Sequence, residues 1–126
     1  MEKKILIVDD EAHIRMLIGQ TLEELEDDGV EFLTADNGVA ALELIQAEKP
    51  DLVFLDVMMP KMNGMDVCQK VKKELALSDV YIILLTAKGQ ELDRQRGQEV
   101  GADVYMTKPF DPEALLSKAK QVLELD

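Results

Sequence analysis

Tryptophan is absent, the aromatic set is two tyrosines and three phenylalanines, and there is one cysteine, Cys68. A single thiol excludes an internal disulfide framework and agrees with a reducing cytoplasm. Positive charge is scarce too: 14 Lys and Arg stand against 26 Asp and Glu, a formal net charge of -12 with pI ≈ 4.4. Such a surface argues against direct nucleic-acid binding, which rests on Lys and Arg neutralising phosphates. It suits a basic protein patch or a cation instead. No apolar run approaches the ~20 residues of a membrane span. The first run, Ile5 to Val8, follows only Met1-Glu2-Lys3-Lys4 and leads straight into acids, so it has neither the apolar core nor the cleavage site of a signal peptide. Neither a solenoid-type repeat nor a low-complexity tract occurs. The expectation is a soluble, cytoplasmic protein with one domain over residues 1–126.

What is there is organised around Leu52 to Gly64, Leu-Val-Phe-Leu-Asp-Val-Met-Met-Pro-Lys-Met-Asn-Gly. Four apolar residues deliver Asp56. A short continuous apolar run between Pro50-Asp51 and Pro60 suits a strand buried on both faces of a parallel sheet. Asp56 then stands at the strand's carboxyl end, the edge where open α/β sheets bind ligands.

Ile5 to Val8 is a second such strand, ending at Asp9-Asp10-Glu11, with Asp10 a candidate cap for the next helix. Ile14, Leu17, Ile18, Thr21, Leu22 and Leu25 repeat at helical spacing up to the Glu26 to Gly29 stop. Val30 to Ala35 reads as a less apolar, edge-like strand, and Asp36-Asn37-Gly38 as a turn that can cap the helix through Ala47. After the central strand, Met65, Cys68, Val71 and Leu75 mark a third helix, with Cys68 a plain buried thiol. Val80 to Leu85 is a fourth strand, stopping at Thr86-Ala87. The segment from Lys88 to Val100 is mostly polar and predicts the least firmly held helix, closed by Gly101. A fifth strand around Val104 to Met106 leads to Lys108-Pro109. Asp111-Pro112 then opens the last helix with a cap and a first-turn proline, and Leu115, Leu116, Ala119, Val122 and Leu123 face its core. Alternating strands and helices imply parallel pairing and right-handed crossovers. The predicted fold is a three-layer α/β/α sandwich, a flavodoxin-like sheet of five parallel strands in order 2-1-3-4-5.

Four strands end in a chemically distinctive side chain: Asp9 and Asp10, Asp56, Thr86 and Lys108. Converging on one edge, they match the needs of phosphoryl transfer to a carboxylate. Asp56 can be the oxygen nucleophile. Three crowded carboxylates are costly without a cation, and Mg²⁺ is the natural one, being satisfied by one or two carboxylates, waters and a phosphate oxygen. Lys108 and the Thr86 hydroxyl can neutralise charge on the transferring group.

The blocks Ile5 to Glu11, Leu55 to Gly64, Leu84 to Ala87 and Gly101 to Phe110 resemble, in order and spacing, the receiver domain of two-component response regulators. The single-domain chemotaxis response regulator is the simplest relative. The resemblance spans essentially the whole chain. It implies that Asp56 accepts a phosphoryl group from the phosphohistidine of a sensor histidine kinase or phosphotransfer protein. By the same resemblance Asp10 and Asp56 ligate Mg²⁺ directly, Asp9 does so through water, and the backbone carbonyl of Met58 completes the set. Lys108 pairs with the phosphoryl group, and the backbone N–H of Ala87 is available to it. Thr86 and Tyr105 form a switch pair that acts on the face made by the Lys88 to Val100 helix, the fifth strand and the last helix. A downstream protein, or an effector domain absent from this chain, would read the switch, as would a phosphorylation-dependent dimer. The Lys108-Pro109 bond is typically cis in such proteins. The resemblance implies a signalling domain that assists its own phosphorylation and dephosphorylation, rather than an enzyme.

Other classes leave specific marks. A dehalogenase-like phosphatase normally carries a second acid or base two residues after its aspartate, where this chain has Met58. A flavin or nucleotide module wants a glycine-rich loop after the first strand, where this chain has acids. His13 reads as a helix-surface residue, and Met58, Met59, Met62 and Met65 as loop and core packing.

Overall fold

The computed structural model describes residues 2–87, 96 and 98–125. Its strands are β1 (Lys4–Val8), β2 (Glu31–Ala35), β3 (Leu52–Asp56), β4 (Tyr81–Ala87) and β5 (Val104–Lys108), all parallel, in the order β2-β1-β3-β4-β5. The described helices are α1 (Ala12–Thr21), α2 (Gly38–Glu48), α3 (Gly64–Gln69) and α4 (Pro112–Val122). This is the flavodoxin-like arrangement expected from the apolar runs.

Strand alternation divides the core into two layers. Leu6 and Val8, Val53 and Leu55, and Ile82 and Leu84 point to one face, where they meet Ala41, Ile45, Met65, Cys68 and Val71 from α2, α3 and the turn after it. Ile5 and Ile7, Leu52 and Phe54, and Ile83 and Leu85 point to the other, where Ile18, Leu22, Leu25, Leu115 and Ala119 cover them. Every residue of β3 is buried, which is why its sequence reads as a continuous apolar run. The edge strand β2 is only partly buried, as its weaker pattern suggested.

The helix ends show where local chemistry decides. Asn37 caps α2 by accepting from Ala40 N–H, Asn63 caps α3 by accepting from Asp66 N–H, and Asp111 accepts from Glu113 N–H with Pro112 in the first turn of α4. Asp10 does not cap α1. Glu11 occupies that position without a side-chain cap, and its own N–H donates to Asp9 Oδ1 at 2.9 Å.

Two helical stripes depart from expectation. The first helix stops at Thr21 and continues as a 3₁₀ segment, Glu23–Asp28, ended by Gly29 at φ 84. Leu22 and Leu25 stay buried through this change of winding, whereas Leu17, within the regular turns of α1, is 43% exposed. After α3 the chain widens into a π segment, Lys70–Glu74, with Leu75 N–H bonded to the Lys70 carbonyl at 2.8 Å. The extra residue per turn rotates Leu75 out of the stripe. The expected helix over 88–100 falls largely outside the described residues. Its end does not: Gly101 has φ 91 and donates its N–H to the Gln98 carbonyl, as a glycine C-cap does. No described helix is long and apolar enough to cross a membrane.

Candidate phosphoacceptor site

Register builds the site. Val8 is level with Leu55 in the β1·β3 pair, so one step further Asp9 comes abreast of Asp56. Ala87 is level with Lys108 in the β4·β5 pair. The carboxyl ends of four strands thereby gather on one edge, and carboxylate oxygens of Asp9, Asp10 and Asp56 all lie within 4.8 Å of one another.

Asp9 is fully buried and Asp56 nearly so, whereas Asp10 is exposed. Lys108 Nζ bridges the two buried acids, donating to Asp9 Oδ2 at 3.1 Å and to Asp56 Oδ1 at 3.2 Å. Burial raises the Asp56 carboxyl to a pKa of about 6, helped by the charge of Asp9 and opposed by Lys108. On Lys108, burial works against the charged form. The charge of Asp56 and the hydrogen bond to Asp9 outweigh it and hold the ammonium above its ordinary range. Buried carboxylates crowded together with one ammonium between them leave room for a further positive charge. The three candidate donors are all hard carboxylate oxygens, with no imidazole or thiolate among them, a set that fits Mg²⁺ better than a soft metal.

The supporting shell includes residues that sequence reasoning passed over. Arg15 Nη1 donates to the main-chain carbonyl of Asp9 at 2.6 Å, tying α1 to the acid turn. Gly64 donates its N–H to the Val57 carbonyl at 2.9 Å, and a Cβ there would run into the backbone carbonyl of Asp56. The Asn63-Gly64 turn was visible, but its contact with the strand end depends on how the loop folds back.

The pleat sorts the remaining candidates. Carried along each strand, the alternation puts Asp9, Asp56 and Lys108 on the sheet face covered by α1 and α4. Thr86, buried, and Tyr105, packed against the other apolar layer, fall on the opposite face. Ala87 ends β4 beside Lys108. Met58 lies two residues beyond Asp56, with 63% of its surface exposed. The Lys108-Pro109 peptide is cis. His13 is a surface residue whose ring lies 3.5 Å from Glu11 Oε2. Cys68 is fully buried, and burial pushes its thiol up to about 12.

The family model described as response regulator receiver domain matches residues 5–120. The chain belongs to that family. It is similar to the probable transcriptional regulator ycf27 of Porphyra purpurea, with 49% identity over 97% of this chain and 48% of the relative. It is similar also to the alkaline phosphatase synthesis transcriptional regulatory protein PhoP of Bacillus subtilis, with 44% identity over 98% of this chain and 49% of the relative. Among solved structures, a CheY-like response regulator receiver domain protein from Methanospirillum hungatei superposes with a TM-score of 0.86 at 31% identity, covering 98% of this chain and 95% of the other. The receiver domain thus spans about half the length of the curated relatives it matches, both of them named as transcriptional regulators. It is a two-component signalling domain with the CheY-like fold, and its acid cluster sits at the sheet edge where that fold binds ligands.

Proposed function

We propose that Asp56 is the phosphoacceptor of this receiver domain and that residues 1–126 act as one unit in phosphotransfer. A carboxylate oxygen of Asp56 attacks the phosphorus of a phosphohistidine on a sensor histidine kinase or phosphotransfer protein. The P–N bond breaks, the imidazole leaves and takes up a proton, and an aspartyl phosphate remains. The supporting observation is the meeting of three carboxylates and one ammonium around a buried Asp56, with Lys108 already 3.2 Å from its oxygen. Asp10, Asp56 and the Met58 carbonyl would hold Mg²⁺, with Asp9 reaching it through water, and the ion supplies positive charge for the phosphoryl oxygens. Lys108 neutralises a further share of that charge, and the Thr86 hydroxyl and Ala87 N–H are the donors on the β4 side.

Phosphorylation would replace the Asp56 carboxylate by a phosphoryl group carrying about -1.5 to -2 charges, a net gain of up to about one negative charge, together with strong acceptor oxygens. Thr86 moves toward the new oxygens and Tyr105 follows, shifting the population of conformers on the face that includes β5 and α4. The reader is a downstream protein, a second phosphorylated copy or an effector domain absent from this chain. Direct nucleic-acid contact by this acidic surface is not part of the reading, and the setting is cytoplasmic.

The test is Mg²⁺-dependent labelling by acetyl phosphate or by a phosphorylated kinase, followed by intact mass. Wild type gains one phosphoryl group and Asp56→Asn none; equal labelling of both would refute the assignment.

A further inference from the structure

Five residues before Asp56 stands Asp51, and five residues before Lys108 stands Asp103. At the edge of the sheet opposite the site, the two make the same pair of contacts. Asp51 donates its N–H to the Lys4 carbonyl at 2.9 Å, and its Oδ2 accepts the Lys4 N–H at 2.8 Å. Asp103 donates its N–H to the Ile82 carbonyl at 3.0 Å, and its Oδ2 accepts the Ile82 N–H at 2.8 Å. Each aspartate thus grips both main-chain groups of one residue on the neighbouring strand, just before the ladder begins.

The ladders run from these grips to the site. The pair Lys4 and Asp51 precedes Ile5↔Leu52, and four further steps bring Asp9 beside Asp56. The pair Ile82 and Asp103 precedes Ile83↔Val104, and four further steps bring Ala87 beside Lys108. A slip of one residue would move a strand end by about 3.3 Å and turn its side chains to the other face. Contacts of 3.1 and 3.2 Å at Lys108 would not survive that. Both grips are braced: the Asp51 carbonyl accepts Tyr81 N–H at 3.1 Å, and Lys72 Nζ, on a side chain 10% exposed, lies 2.8 Å from Asp103 Oδ2.

We propose that Asp51 and Asp103 are positioning residues for the phosphoacceptor site, Asp51 setting the height of Asp56 beside Asp9 and Asp103 that of Lys108 beside both. The proposal rests on the phosphoacceptor reading for its kinetic consequence, while its effect on ion binding can be read separately. The two grips act on different atoms. Asp51 governs a carboxylate that would touch Mg²⁺, whereas Asp103 governs an ammonium that would not.

The experiment uses Asp51→Ala, Asp51→Asn, Asp103→Ala and Asp103→Asn. MgCl₂ is titrated into each by calorimetry, well below its unfolding midpoint, and labelling by acetyl phosphate is timed on the same preparations. Asp103→Ala is expected to slow labelling about ten- to a hundredfold, the cost of a displaced reacting group, without weakening Mg²⁺ binding. Asp51→Ala weakens both. Each Asn variant recovers most of the loss, since its amide oxygen accepts the same N–H. Wild-type labelling by a folded Asp103→Ala, parallel losses of affinity and rate in both Ala variants, or Asn variants no better than Ala would overturn the proposal. If wild type is not labelled, or Asp56→Asn is, the phosphoacceptor reading fails instead. Mg²⁺ affinity then decides alone: loss in Asp51→Ala but not in Asp103→Ala supports the two grips, and any other pattern refutes them.

Discussion

Lys108 Nζ lies 3.2 Å from Asp56 Oδ1 while the same nitrogen holds Asp9 Oδ2 at 3.1 Å, so one ammonium at the end of the last strand serves two buried carboxylates from strands that precede it in sequence. Removing that ammonium leaves both acids without their shared counter-charge. Lys108→Met is therefore expected to lower stability by about 1–3 kcal/mol in metal-free buffer, the cost of leaving buried polar groups unpaired. Labelling should slow as well. Urea denaturation with and without Mg²⁺ is the check, and the ion should recover part of the loss. An unchanged metal-free midpoint would mean that the bridge contributes nothing to folding.

The raised Asp56 carboxyl makes stability depend on pH in a definite direction. Its folded pKa of about 6 lies above the ordinary 3.8 of an aspartate, so between these the folded state binds the extra proton. This contribution is fully present below about pH 4 and is lost as pH rises through about 6, amounting to roughly 3 kcal/mol at most. Mg²⁺ favours the ionised form, so its stabilising effect should grow over the same interval. The difference between wild type and Asp56→Asn, followed by denaturation from pH 4 to 7, isolates the group. A flat difference would contradict the assigned shift.

Gly64→Ala tests how tightly the loop after β3 supports the phosphoacceptor. The new methyl would meet the Asp56 carbonyl and the backbone of Val57, neither of which can swing aside as a flexible side chain could. A loss of about 1–3 kcal/mol is expected, as for other overpacked sites, together with slower labelling. A melting temperature equal to wild type would show that the loop yields freely.

Thr86→Ala separates chemistry from signalling. The buried hydroxyl is one of several donors on the proposed phosphoryl oxygens, so labelling should fall only a few-fold, roughly 1 kcal/mol of transition-state interaction. The response of Tyr105 should fall much further. Fluorine labelling of the tyrosines, followed by NMR before and after phosphorylation, would report it. A Tyr105 signal that shifts as in wild type would remove Thr86 from the switch.

Much of this is legible in the sequence. The buried strands announced themselves because Ile5 to Val8 and Leu52 to Leu55 must be apolar on both faces, and their lengths fixed which acids reach the edge. Asn37 and Asp111 were readable as caps because capping is local chemistry. Asp10 was misread as a cap because α1 begins one residue later, with Glu11 in the capping position. Leu75 was misassigned because a π stretch alters the winding, which apolar spacing does not record, and Leu17 because an apolar residue at helical spacing can still stand largely in solvent. Arg15 was missed, and Gly64 was read only as part of a turn, because their partners are backbone atoms brought within reach by how the loops fold back. Nothing in composition signals such contacts.

The pleat has one more consequence. By strand alternation Asp9, Asp56 and Lys108 occupy one side of a sheet a single backbone thick, while Thr86 and Tyr105 stand on the reverse. On the proposed reading, news of a new phosphate has to pass around the rim of that wall, by way of Thr86 near the end of β4. The partition that keeps the two oily compartments apart is thus also the threshold the signal must cross.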